Sequence, residues 1–232
     1  MESDERIRAA VLNTQIVRAP KQSLATFGIT NIYYYLVAEA AYNDLIKSTE
    51  TVVREGRVVA ERPRIVTPYY LSRVQGFSAE AKKYFEMLTQ THSPDSPGIF
   101  YAYRNEPKEL NIVSDPLAAV IEKLNGEIDK KGDPLTSIIK GEDTLWDVSI
   151  LKFIYEITER SVRENVHQFS QRGLLNMDVS GLPSDARMRI EGLFQLVEKG
   201  EMEPSDLKTE LDHWDVFEEY QDRFFALFKR KR

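Results

Sequence analysis

Apolar positions recur with helical period over residues 144–171, TLWDVSILKFIYEITERSVRENVHQFSQ, and predict one helix of about 28 residues and about 42 Å. Two apolar stripes run along it. The first holds Trp146, Ile150, Phe153 and Ile157; the second holds Val148, Leu151, Tyr155, Val162, Val166 and Phe169 at nearly heptad spacing. Two stripes call for cover on two sides, so the first half of this helix is expected to be the most buried element. Beyond Ile157 the first stripe turns polar through Ser161, Glu164 and Gln168, and the second half is expected to bury one face only.

Strand periodicity dominates the N-terminal half. Residues 6–17 read as a short amphipathic helix or a strand lead-in, closed by Pro20. Ile29–Ala38 is β-branched and aromatic on both faces, as for a central strand covered twice. Val52-Val53 and Val58-Val59 flank Glu55-Gly56 and predict a hairpin turning there, with Pro63 ending regular pairing or lying on an edge. A helix capped by Ser78, with Ala81, Tyr84, Phe85 and Leu88 inward, follows, and then a loop over 92–98. Ile99–Arg104 and Leu110–Val113 predict a second hairpin around residues 105–108.

After Val113 the pattern is helical. Asp115-Pro116 opens a helix with Leu117, Ile121, Leu124 and Ile128 inward, and a short helix is expected over residues 135–140. The long helix stops at Gly173; Pro183 opens another with Ala186, Ile190, Leu193 and Val197 inward. The last, from Pro204 to Phe228, breaks near Asp215. The fold expected is α+β: an N-terminal antiparallel sheet of about five strands with one helix, then a C-terminal bundle of four to five helices around the long central one. The boundary falls where composition changes near Ser114, giving subdomains at 1–113 and 114–232.

Composition narrows the function classes. With 42% hydrophobic residues the chain can bury a core, which excludes wholesale disorder. A net charge of -6 opposes a protein built mainly to coat nucleic acid. Residues 1–75 hold 10 Lys/Arg against 8 Asp/Glu and the remainder 21 against 29, so the N-terminal part is the better partner for an anion. The absence of cysteine removes disulfides, thiol nucleophiles and thiolate metal sites. No secretory leader and no transmembrane run is visible, and elimination makes the cytoplasm the expected location.

Three patterns carry candidate chemistry. Two of the three histidines follow a glutamate by three residues, Glu164/His167 and Glu210/His213, and each pair shares a helix face, as a di-iron or di-manganese bundle requires. Glu122 and Glu191 are the available further carboxylates, on helix flanks; solvated Glu–His pairs are the competing account. Arg54, Arg57, Arg62, Arg64 and Arg73 cluster in sequence near Tyr69-Tyr70 and Tyr33–Tyr35, the composition of a nucleic-acid or anion surface, although interleaved Glu55 and Glu61 suit cross-strand ion pairs. Phe224–Arg232 joins an aromatic helix end to four cations, which complement the helix dipole or meet an anionic partner or membrane surface. Phosphate-loop, dinucleotide, nucleophile-elbow and H-E-x-x-H motifs are all absent.

These observations favour a non-catalytic binding or adaptor protein acting through protein–protein contacts, with another protein or a second copy of the chain as partner. The alternatives are a metal-dependent enzyme holding a divalent ion at Glu164, His167, Glu210 and His213, or nucleic-acid and anion binding through the five arginines. No other cofactor is expected.

Overall fold

The computed structural model describes residues 2–43, 49–73 and 96–229. The elements are α1 (Glu2–Asn13), β1 (Gln15–Arg18), β2 (Thr30–Glu39), β3 (Thr51–Ala60), β4 (Arg64–Val66), α2 (Pro68–Arg73), β5 (Gly98–Phe100), β6 (Tyr103–Val113), α3 (Leu117–Lys131), β7 (Thr136–Lys140), α4 (Trp146–Gln171), α5 (Ser184–Lys199), α6 (Pro204–Trp214) and α7 (Phe217–Lys229). The fold is α+β, with a five-stranded sheet and a C-terminal helical region, as the sequence predicts. The helix expected from Ser78 and the loop with His92 lie outside the described residues. No helix among the described residues is long and apolar enough to cross a membrane.

The sheet order is β1-β7-β2-β3-β6. Three of its pairings are antiparallel and β2–β7 is parallel, so the sheet is mixed where a wholly antiparallel one was expected. Alternation along β2 sends Ile32, Tyr34 and Leu36 to one face and Tyr35 and Val37 to the other. On the first face they pack with Val58, Ala60 and Ile139 against Ile150, Phe153 and Ile157 of α4. On the second, Val37, Val53 and Ile138 meet Val120, Leu124 and Ile128 of α3. β2 is therefore a central strand covered twice, as its composition predicts. Each of the α4 side chains Ile150, Phe153 and Ile157 is at most 3% exposed, worth about 1.5–3 kcal/mol apiece in apolar burial.

Four local expectations are corrected. β3 runs straight through Glu55-Gly56 instead of turning there, pairing with β2 from Thr30↔Ala60 to Glu39↔Thr51. Gly56 is needed for packing: a Cβ there would stand 2.4 Å from the Tyr34 hydroxyl and 2.8 Å from the Glu106 carbonyl. Likewise β6 is one strand where a second hairpin was expected. Its register steps from Glu55↔Glu109 to Gly56↔Pro107, leaving Lys108 as the extra residue of a bulge on the edge of the sheet.

Residues 136–140 form β7 where a short helix was predicted. Five residues are too few for periodicity to separate strand from helix. The slot between β1 and β2 decides it, because Ile138 and Ile139 then bury on opposite faces. The Asp133 carboxylate prepares the turn into β7, accepting from the Leu135 N–H and the Thr136 hydroxyl at 2.9 and 2.7 Å.

The fourth correction concerns α4. Its second stripe is covered at Phe169, which is 0% exposed, but not along its middle: Leu151 is 64% and Tyr155 66% exposed, and Val162 and Val166 are exposed too. The first stripe stays inward past Ile157, because Ser161 and Asn165 are wholly buried. Ser161 Oγ accepts the Leu24 N–H at 3.0 Å, and Asn165 Nδ2 donates to the Leu24 carbonyl and Thr26 Oγ1. The Tyr101 hydroxyl donates to Asn165 Oδ1 at 2.7 Å. Polar side chains thus continue an inward face by satisfying loop backbone, which apolar periodicity does not register.

Chain contacts divide the protein into two units, residues 1–62 with 101–165, and 63–100 with 166–232. The first is the covered sheet. In the second, α5, α6 and α7 bury Ala186, Ile190, Phe194, Leu207, Leu211, Trp214 and Phe224 together with Tyr70 of α2. The expected break near Asp215 is present: this residue adopts φ 58 and caps α6. Gly173, at φ 66, closes α4, as the sequence predicts.

Candidate functional site

The histidine pairs lead to different surroundings. Glu164 and His167 are both exposed, and His167 Nε2 lies 2.8 Å from Gln171 Nε2. Glu210 is half-buried among donors. It accepts from Arg189, from Trp214 Nε1 at 3.0 Å and from the Tyr70 hydroxyl at 3.0 Å. Burial would raise its pKa, but the Arg189 charge and these hydrogen bonds outweigh burial and hold the carboxyl below its ordinary value. Tyr70 is pushed up to about 12, first by burial and then by Glu210. The His213 ring stacks edge-on against Tyr70 at 5.4 Å. Among the described residues no group of three or more His, Asp and Glu is arranged to hold a metal ion. Glu210 is the centre of a polar network with Arg189, Trp214 and Tyr70.

The five arginines are dispersed. Arg54 and Arg57 stand three residues apart on one strand and so face opposite sides. Arg54 pairs with Asp143 at 2.8 Å and lies over the Trp146 ring. Arg57 pairs with Glu106, which holds the Glu106 carboxyl below its ordinary value. Arg62 lies over the Phe27 ring at 5.6 Å. Arg64 belongs to β4, and Arg73 ends α2, where it pairs with Asp215 at 3.1 Å and donates to the Asp212 carbonyl. Arg57–Glu106 is an ion pair across neighbouring strands, β3 and β6, whereas Asp143 and Asp215 lie outside the strands. Of the C-terminal run, residues 230–232 lie outside the described residues; Phe225 and Phe228 are exposed, while Phe224 is buried.

Two features that sequence reasoning did not assemble stand out. One is the solvent face of α4. Leu151, Tyr155 and Val162 follow one another at steps of four and seven, so they line up along a single side of the helix over about three turns. Glu159, Arg160 and Arg163 are exposed beside them. The stripe is legible in the sequence; its exposure is not.

The other is a pocket of about 370 Å³ in the sheet unit, where the end of α3 meets β2, β3 and β6. Tyr33, Tyr35, Glu55, Arg57, Lys108 and Lys131 are among its lining residues. The bulge brings Lys108 to the rim, so the pocket depends on the register of β6. Tyr33 is 45% exposed although it sits in the middle of the central strand, which marks where α3 leaves the sheet open. Burial, then Glu55, raises the pKa of Tyr35.

Comparison with protein-family models, with curated proteins and with solved structures returns no match.

Proposed function

We propose that the protein is a non-catalytic adaptor that works through protein–protein contacts, with the solvent face of α4 as its contact surface. The observation that supports this is the exposure of Leu151 and Tyr155, at 64% and 66%, on a helix whose opposite side is fully packed. A helix needs one apolar stripe to hold it to its own fold. Leu151, Tyr155 and Val162 of the second stripe do little for that packing, and covering a large apolar side chain contributes about 1.5–3 kcal/mol. The heptad-like spacing suits an amphipathic helix laid alongside, and the mixed signs of Glu159, Arg160 and Arg163 suit a partner helix with charges of both signs at its edges. A cysteine-free chain fits a reducing cytoplasmic setting.

The metal-dependent alternative has less support, because Glu210 is engaged by Arg189, Trp214 and Tyr70. The arginine alternative has less as well, because Arg54, Arg57 and Arg73 are ion-paired.

The experiment is capture from native lysate by the full chain and by the Leu151→Glu/Tyr155→Glu variant, with light scattering on the free proteins. The proposal expects a defined protein recovered by the parent and lost with the variant, while the variant keeps its thermal stability because both positions are exposed. Recovery unchanged by the two substitutions, or a parent that recovers nothing, refutes it. A parent that dimerises and a variant that does not would make the occupant a second copy of the chain and overturn the choice of a different protein.

A further inference from the structure

The pocket beside α3 has a charge pattern that names a ligand class. Of its cations, Arg57 is neutralised by Glu106, whereas Lys108 on the bulge and Lys131 in the last turn of α3 form no salt bridge among the described residues. Of its carboxylates, Glu106 is taken by Arg57 and Arg104, and Asp133 is taken by the Leu135 N–H and the Thr136 hydroxyl. Glu55 has no such partner among the described residues. What remains to be satisfied is two ammonium groups and one carboxylate, beside the rings of Tyr33 and Tyr35.

Water can solvate those charges, but an aromatic-walled hollow holds water poorly, and half-exposed Tyr33 offers ring surface that gains from being covered. The volume of about 370 Å³ lies at the small end of ligand pockets. A larger cofactor does not fit it, and an inorganic ion leaves the rings bare.

We propose that this pocket binds a small aromatic zwitterion of the α-amino-acid type, its ring against Tyr33 and Tyr35, its carboxylate between Lys108 and Lys131, and its ammonium on Glu55. The site is separate from the α4 stripe, so it stands or falls independently of the adaptor function. Three features each discriminate. A bare aromatic loses both charge contacts, an aromatic acid loses the Glu55 contact, and an aliphatic amino acid loses the ring contact.

The test is isothermal titration of the full chain with L-tryptophan, indole-3-propionate, tryptamine and L-alanine, backed by saturation-transfer NMR. L-Tryptophan is expected to bind with a Kd below about 1 mM. Each single-charge analogue should bind about fivefold more weakly, as for one partly exposed ion pair, and L-alanine should not bind. Lys108→Ala/Lys131→Ala should weaken L-tryptophan and indole-3-propionate while leaving tryptamine unchanged, and Glu55→Gln should weaken L-tryptophan and tryptamine while leaving indole-3-propionate unchanged. The two lysines are exposed and without salt bridges, so the variant keeps its fold. Absence of L-tryptophan binding at about 5 mM, well above the expected Kd, overturns the proposal. So does equal binding of all three indoles, or affinity indifferent to the lysine and glutamate variants.

Discussion

Gly56→Ala tests whether the Tyr34 ring dictates the glycine. In a strand interior, replacing glycine by alanine ordinarily stabilises by about 0.5–1 kcal/mol, because glycine loses more backbone freedom on folding. At this position the new methyl would lie 2.4 Å from the Tyr34 Oη, 2.6 Å from its Cζ and 2.8 Å from the Glu106 carbonyl oxygen, against an ordinary contact of 3.4 Å or more. The ring would have to withdraw by about 1 Å, yet Tyr34 is 1% exposed and packed with Ile32, Leu36 and Phe153. Withdrawal also stretches the bond from its hydroxyl to Asn105 Oδ1, now 3.0 Å. Overpacking costs about 1–3 kcal/mol and the weakened hydrogen bond about 1 kcal/mol. Less the backbone gain, the net destabilisation comes to about 1–3.5 kcal/mol. Urea unfolding followed by circular dichroism measures it. A cycle with Tyr34→Leu removes two of the three close atoms and should shrink the Gly56→Ala penalty by more than about 1 kcal/mol. A neutral or stabilising Gly56→Ala, or a penalty unchanged by Tyr34→Leu, refutes the reasoning.

Two further outcomes follow from the buried polar groups. Glu210 has a native pKa below its unfolded one, so its contribution to stability is complete above the ordinary carboxylate range and is lost as the pH falls through the native value. Glu210→Gln should flatten this acid limb in a series of denaturation curves and, by removing the nearer of the two carboxylates at Arg189 while Asp185 stays 4.0 Å from it, cost about 1–3 kcal/mol near neutrality; an unchanged acid limb would assign it to other carboxylates. Asn165→Ala leaves the Leu24 carbonyl, Thr26 and Tyr101 without their partner, and should cost about 2–4 kcal/mol in thermal unfolding, whereas Glu164→Ala next to it should change stability by less than about 0.5 kcal/mol. Equal effects at the two positions would show that Asn165 faces water.

The candidate sites divide along similar lines. The Glu-x-x-His pairs and the arginine cluster are real sequence patterns, but spacing along a helix or strand fixes only which residues share a face. It does not say that Glu210 meets Arg189 from α5, or that Arg57 meets Glu106 across β3 and β6. The pocket was invisible because it needs residues from β2, β3, β6 and α3 at once, placed by a one-residue bulge at Lys108. A signal existed in the adjacent Pro107-Lys108 within a strand-like run, since proline and lysine mark an edge strand.

By itself the sequence determined the fold class, the doubly covered β2, the long helix and its inward Ile150, Phe153 and Ile157, and the break at Asp215. Each of these is written in local periodicity or backbone chemistry, and burial of one face rewards that period wherever the partner comes from. Tertiary structure alone decided that residues 136–140 join the sheet, that β3 and β6 run on without turning, and that Leu151 and Tyr155 remain in water. Those outcomes depend on which surfaces meet across long stretches of chain, and a short segment carries no record of its distant neighbour.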